Sequence, residues 1–162
     1  MKTLLKILSL TSLLFFISCD KDDDPETSNV DLNANAITYE MVNQTSSTTG
    51  VVRITGHIKN IGTTNFNSGE NQQIAYLVER ALGTTTEVVK ATVNIPVVIN
   101  ANNEMTINYT TNWDITTEFQ NDITLKIIYD PDIFLDGNIH NDDINLNNNI
   151  LTIPGAQINS LF

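Results

Sequence analysis

Apolar and polar residues alternate along most of the chain from residue 35 onward. The alternation is clearest over residues 51–60, where Val52, Ile54, Gly56 and Ile58 share one face and polar residues occupy the other. Successive side chains of a β-strand point to opposite faces, so this pattern predicts a strand with one face in the core.

The same reasoning predicts a second clear strand over residues 122–130, with Ile123, Leu125, Ile127 and Tyr129 inward. Trp113 is predicted to cap the core. Weaker alternation bounded by turn residues predicts five more strands. These cover residues 35–42, 72–80, 86–94, 104–112 and 148–153.

Seven short strands and no convincing helical period indicate the fold class. The chain is also rich in Asn, Thr, Val and Ile, and poor in strong helix formers. We therefore predict an all-β fold, a single immunoglobulin-like antiparallel β-sandwich. It is expected to span residues 33–154 and to leave residues 155–162 as a C-terminal tail.

The N-terminus has the features of a secretory signal peptide. Lys2 and Lys6 precede an apolar run that extends to Ile17. The uninterrupted apolar core is nearer ten residues than the roughly 20 that a membrane-spanning helix needs. Residues 1–18 are therefore predicted to be removed.

Ser18 and Cys19 directly follow this run and resemble the lipobox of bacterial lipoproteins, although Phe16 stands where Leu is usual. The resemblance implies lipidation of Cys19 and a permanent anchor without a transmembrane helix. Cys19 is the only cysteine, so no disulfide is available. The alternative is an ordinary signal peptide that contains a cysteine.

The residues after Cys19 resemble the surface-export signal of Bacteroidetes-type lipoproteins, with Lys21, Asp22 and Asp23 in the matching places. This implies an outer-membrane lipoprotein on the cell surface; the alternative is the periplasmic face of the same membrane. The acidic run can also be read as part of a flexible tether over residues 19–32.

Charge excludes one class of partner. Loss of residues 1–18 removes Lys2 and Lys6, so the formal net charge changes from −11 to −13. Such a surface repels nucleic acid. The expected partners are the outer membrane, through the lipid anchor, and a protein or glycan of unknown identity.

Two segments carry a family resemblance. One is Ile58-Lys59-Asn60-Ile61-Gly62-Thr63; the other is Tyr129-Asp130-Pro131-Asp132, an acidic stretch, and then Asn147-Asn148-Asn149-Ile150. Over roughly residues 33–153 they resemble the CARDB domain, the "cell adhesion related domain found in bacteria". The Gly common before the Asp-Pro strand is absent at Gln120-Asn121. The resemblance implies an immunoglobulin-like adhesion, binding or spacer module without catalysis.

Catalytic motifs are missing from the sequence. It has two histidines, His57 and His140, and no Gly-x-Ser-x-Gly, paired metal histidines or phosphate-binding glycine loop. The carboxylates crowd one loop, whereas a glycosidase needs two across a cleft. We therefore predict that the protein is not an enzyme. The first predicted function is an adhesion or binding module. The alternatives are a structural accessory subunit of an outer-membrane complex and, third, a carbohydrate-active enzyme.

The long gap before the last predicted strand is the candidate site. Asp130, Asp132, Asp136 and Asp142 offer hard oxygen ligands of the kind that Ca²⁺ binds. No cofactor is required by any motif, and calcium is the one metal we consider. The alternative is a solvated loop whose Asx side chains cap their own turns, with residues 133–135 plugging the end of the sandwich.

Overall fold

A computed structural model describes residues 27–69, 72–95 and 98–162. Cys19, Lys21, Asp22 and Asp23 lie outside these residues. The described residues form seven strands and three short 3₁₀ helices. The strands are β1 (Leu32–Gln44), β2 (Thr49–Asn60), β3 (Gln73–Arg80), β4 (Glu87–Asn94), β5 (Glu104–Asp114), β6 (Asp122–Tyr129) and β7 (Ile150–Ile153), and the helices are η1 (Pro131–Leu135), η2 (Leu146–Asn148) and η3 (Gly155–Leu161).

The strands form two antiparallel sheets packed face to face. One sheet has three strands in the order β1-β2-β5, and the other has four in the order β4-β3-β6-β7. β4 pairs with β3 at one edge of the second sheet. The predicted all-β sandwich is confirmed.

The core lies between the sheets and follows the alternation of the sequence. Val52, Ile54 and Ile58 on β2 are fully buried, as are Ile123 and Leu125 on β6. A glycine on β2 allows close packing of the two sheets at one point. A β-carbon added at Gly56 would lie 2.9 Å from Cδ1 of Leu125 on the opposite sheet.

A β-bulge in β1 preserves this burial along an unusually long strand. The register against β2 shifts between Ala34 and Ala36, which leaves Asn35 unpaired. Leu32 and Ala34 face the core before the bulge, and Ile37 faces it afterwards. Without the extra residue, one half of the strand would point its apolar side chains to solvent.

The N-terminal edge of the domain differs from the predicted boundary. Val30 and Leu32, assigned to the flexible tether, are fully buried. Val30 pairs with Asp143 in an isolated bridge, and its carbonyl accepts from Ile144 N at 3.0 Å. The sandwich therefore begins earlier than residue 33, because these two apolar side chains belong to its core.

The C-terminal boundary of the sandwich also lies outside the predicted one, which was residue 154. Residues 155–162, predicted as a tail, include η3, whose Ile158 is fully buried. Nε1 of Trp113 donates to Oδ1 of Asn159 at 2.9 Å, so the residue predicted to cap the core is itself covered by η3. The last residues close one end of the sandwich.

Candidate functional site

The candidate site is the β6–β7 loop, residues 130–149, which contains η1 and η2. Oδ1 of Asp130 accepts from Asp132 N at 3.0 Å, and Pro131 follows it at the start of η1. Asn145 begins η2 in the same manner. These side chains cap their own turns, which is the arrangement that the solvated-loop interpretation predicts.

A polar network ties the loop to the residue before β3. Gln72 Nε2 donates to Asp136 Oδ2 at 2.6 Å. Asn141 Nδ2 donates both to Gln72 Oε1 at 3.0 Å and to Asp136 Oδ2 at 2.9 Å. Hydrogen bonds from Asn141, from the backbone of Asn138 and from Gln72 hold the pKa of Asp136 below its usual range.

A second network, around the buried carboxylate of Asp143, holds the loop against β6. Asp143 Oδ2 accepts from Tyr129 Oη at 2.6 Å and from Asn149 Nδ2 at 3.0 Å, and Oδ1 accepts from Asn145 N at 3.0 Å. Burial raises the pKa of Asp143, although these donors oppose the effect, and burial also raises the pKa of Tyr129. Asp143 was not among the site residues predicted from the sequence, because no feature of the neighbouring residues distinguishes it from Asp142.

The four aspartates proposed as calcium ligands fall into two groups. Asp130 and Asp132 are exposed at the start of η1. Asp136 lies in the Gln72 network, and Asp142 is close enough for Asp136 to contribute, after burial, to a raised pKa of its carboxyl. Across residues 27–69, 72–95 and 98–162, no three His, Cys, Asp or Glu side chains form a group that could hold a metal ion.

Several buried oxygens near the loop lack a hydrogen-bond donor among the described residues. Four of them belong to the loop itself: Oδ1 of Asn141, Asp142, Asn148 and Asn149. The side chain of Gln73, at the start of β3, is also buried and unpaired within the described part of the chain. Buried polar atoms are normally paired with protein or water, so this end of the sandwich has an interior with hydrogen-bonding capacity that the described protein groups do not use.

Calcium binding by Asp130, Asp132, Asp136 and Asp142 stays a prediction. A site would raise the thermal midpoint of residues 27–162 with Ca²⁺ and saturate, because a ligand of the folded state alone stabilises it by about 2.7 kcal/mol at a hundredfold excess over its Kd. Mg²⁺ should do much less, and Asp130→Asn with Asp132→Asn should erase the difference. Equal effects of Ca²⁺, Mg²⁺ and plain salt would contradict the site and leave only charge screening.

The loop and the second sheet together build an apolar surface. Ile128, Phe134, Leu146 and Ile150, here called the apolar patch, line a shallow groove of about 280 Å³. Each of the four side chains is between 44% and 60% exposed. Ile74 lies directly opposite Ile128 across the β3–β6 pair and extends the patch along the sheet, since opposite residues share a face.

Helix η1 sets the direction of Phe134. Ile133 is fully buried, while Phe134 is 44% and Leu135 is 84% exposed. The prediction that all three plug the sandwich is therefore wrong for the last two, because a 3₁₀ helix turns by a third of a circle per residue. The ring of Phe134 packs against that of Tyr129, with centroids 6.2 Å apart.

The Asn-x-Gly motif after β2 has a structural role. Asn60 is fully buried. Its Nδ2 donates to the carbonyls of Thr64 and Ile99 at 2.8 and 2.9 Å, and its Oδ1 accepts from Gly62 N at 3.0 Å. A β-carbon at Gly62 would lie 2.0 Å from the carbonyl oxygen of Asn29, so the motif also makes room for the incoming chain.

The two histidines lie on different parts of the domain. His57 is on the outer face of the first sheet, between Glu104 Oε1 at 2.6 Å and Thr38 Oγ1 at 2.8 Å. His140 is in the β6–β7 loop, where its backbone N donates to Asn138 Oδ1. Each therefore belongs to a local hydrogen-bonding arrangement.

Comparisons of the chain with protein-family models and with curated proteins find no match. Within the described residues, no helix has the length and apolar character needed to cross a membrane.

Proposed function

We propose that this chain is a lipid-anchored protein of the bacterial cell surface whose sandwich is a non-catalytic adhesion or binding module. The observation that carries the proposal is the apolar patch. Soluble domains rarely leave contiguous apolar side chains exposed unless these side chains contact a partner. The resemblance of Ile58–Thr63 and of the β6–β7 loop to CARDB modules supports the same class of function.

The position of the patch supports a role close to the membrane. Ser28 Oγ donates to the carbonyl of Asp142, so the chain enters the sandwich beside the loop that carries Leu146. Nine residue spacings separate Cys19 from Ser28, and they span at most about 30 Å. A lipid on Cys19 would therefore keep this end of the sandwich near the bilayer.

A non-catalytic role is supported by how the loop uses its polar groups. Asp136 and Asp143 accept hydrogen bonds from side chains that fix the loop, and Asp130 caps η1. These contacts give Asp130, Asp136 and Asp143 a structural role.

A structural accessory subunit of an outer-membrane complex is the second candidate function. It is favoured by the chemistry of the patch, which is mostly aliphatic. Glycan sites usually present several exposed aromatic rings, whereas Phe134 is the one aromatic member of the patch, and Tyr109 and Trp113 are buried. A protein partner therefore fits the patch better than a sugar.

Lipidation is tested by Cys19→Ala. We expect this variant to lose all metabolic acyl labelling and to leave the membrane pellet, because the thiol is the only attachment point for the lipid. Ser18→Ala keeps a small residue before the cysteine and is the matched control, which should remain labelled. A labelled, sedimenting Cys19→Ala protein would contradict the anchor.

Surface display is tested by replacing Lys21, Asp22 and Asp23 with alanine while Cys19 is kept. We expect this protein to remain lipidated and to become resistant to protease added to intact cells, because the export signal is gone. Digestion at the wild-type rate would show that the acidic run acts only as a tether.

A further inference from the structure

The apolar patch has an acidic rim. Asp130 lines its groove, and Asp132, two positions further along the chain in η1, is exposed. A cation of the sheet, Lys126, lies opposite Ile150 in the β6–β7 pair. Its Nζ lies 2.6 Å from both carboxylate oxygens of Glu87, so its charge is already balanced.

A second copy of the chain is a poor occupant for this surface. A symmetric dimer would bring the same patch, with the same rim, against itself. Residues 27–162 carry fourteen Asp or Glu and five Lys or Arg, so the approach would also be opposed by overall charge. Like charges facing each other across an interface cost free energy and suppress that pairing.

We infer that the apolar patch is a docking site for a different protein, one that presents apolar side chains flanked by lysine or arginine. The inference deepens the proposed function and rests on it, because the lipid anchor would hold the patch near membrane-associated partners. The apolar side chains of the partner would cover Ile128, Phe134, Leu146 and Ile150. Its cations would face Asp130 and Asp132, which complement them in charge.

Photo-crosslinking of the full chain in its native cells tests the inference. p-Benzoylphenylalanine is placed at Leu146 or Ile150 in the patch, and at Leu82 as the matched control. Leu82 is 58% exposed, comparable to the patch residues, and follows β3 at the opposite end of the sandwich. We expect a discrete protein adduct from both patch positions and none from Leu82.

The composition of the crosslinked segment decides whether the inference holds. Mass spectrometry should place the crosslink in a segment of another protein that contains apolar residues with Lys or Arg within a few positions. Attachment to a second copy of this chain, to a lipid or glycan, or to an acidic segment would overturn the inference. Equal yields at Leu82, or no adduct at the patch, would do the same.

A charge reversal tests the role of the rim separately. In cells carrying the Leu146 probe, Asp132→Lys should lower the adduct yield by about threefold to tenfold, since it removes attraction to the partner's cations. Glu118→Lys, an equal change of charge at an exposed site before β6, is the matched control and should leave the yield unchanged. Equal losses in both variants would overturn the assigned chemistry of the partner.

Failure of this inference can be distinguished from failure of the proposed function. Acyl labelling and protease accessibility are measured on the same probe-bearing cells. A labelled, accessible chain without a patch adduct would overturn the docking inference and leave the anchoring proposal intact. An unlabelled chain would overturn the anchoring proposal on which the inference rests.

Discussion

Asn60→Ala is expected to destabilise the domain by about 3–5 kcal/mol, a large share of the stability of a domain of this size. The substitution removes the donor to the carbonyl of Thr64 and the acceptor of the Gly62 N–H, and it takes one of two donors from the carbonyl of Ile99, which keeps the N–H of Phe66. Each buried group that loses its partner costs roughly 1–3 kcal/mol. Equilibrium unfolding in urea, followed by tryptophan fluorescence, measures the change.

The matched control for Asn60 is Asn108→Ala. Asn108 lies on β5, directly opposite Thr55, and its side chain is exposed. Its removal should change the unfolding free energy by no more than about 0.5 kcal/mol. If the two variants unfold at the same urea concentration, the hydrogen bonds of Asn60 do not hold the turn after β2.

Ile127→Ala is expected to cost about 2–5 kcal/mol, because it removes a buried side chain and leaves a cavity between the sheets. Ile127 is 4% exposed and lies on the inner face of β6 with Ile123 and Leu125. The same urea titration measures the loss, and the slope of the transition should stay unchanged if the variant unfolds in one step.

The neighbouring residue supplies the control for Ile127. Lys126 points outward, and Lys126→Ala removes only a partly exposed ion pair with Glu87. Pairs of this kind contribute about 0–1 kcal/mol. Equal small effects of the two variants would contradict the assignment of inner and outer faces on β6.

Much of the candidate site could be located from the sequence, but its contacts could not be predicted. The length and acidity of residues 130–149 marked the loop, and Asp136 proved to be part of its main polar network. The partner of that network, Gln72, is 64 positions away in the chain. Asp143 was missed because its burial depends on Tyr129 and Asn149, not on its neighbours in sequence.

The sequence by itself determined the strands and the all-β class, because the period-two alternation of residues 51–60 and 122–130 is a local property that burial on one face requires. Only the tertiary structure decided where the domain begins and ends. Val30 and Ile158 lie in segments without periodicity, and they are buried because distant elements cover them.

The apolar patch likewise follows from tertiary structure alone. Ile128 and Ile150 meet because β6 pairs with β7, and Phe134 and Leu146 join them because the loop folds back over the sheet. Local pattern determines which face of a strand is apolar. Which apolar residues remain exposed together depends on contacts between positions far apart in the chain, and a linear pattern does not encode those contacts.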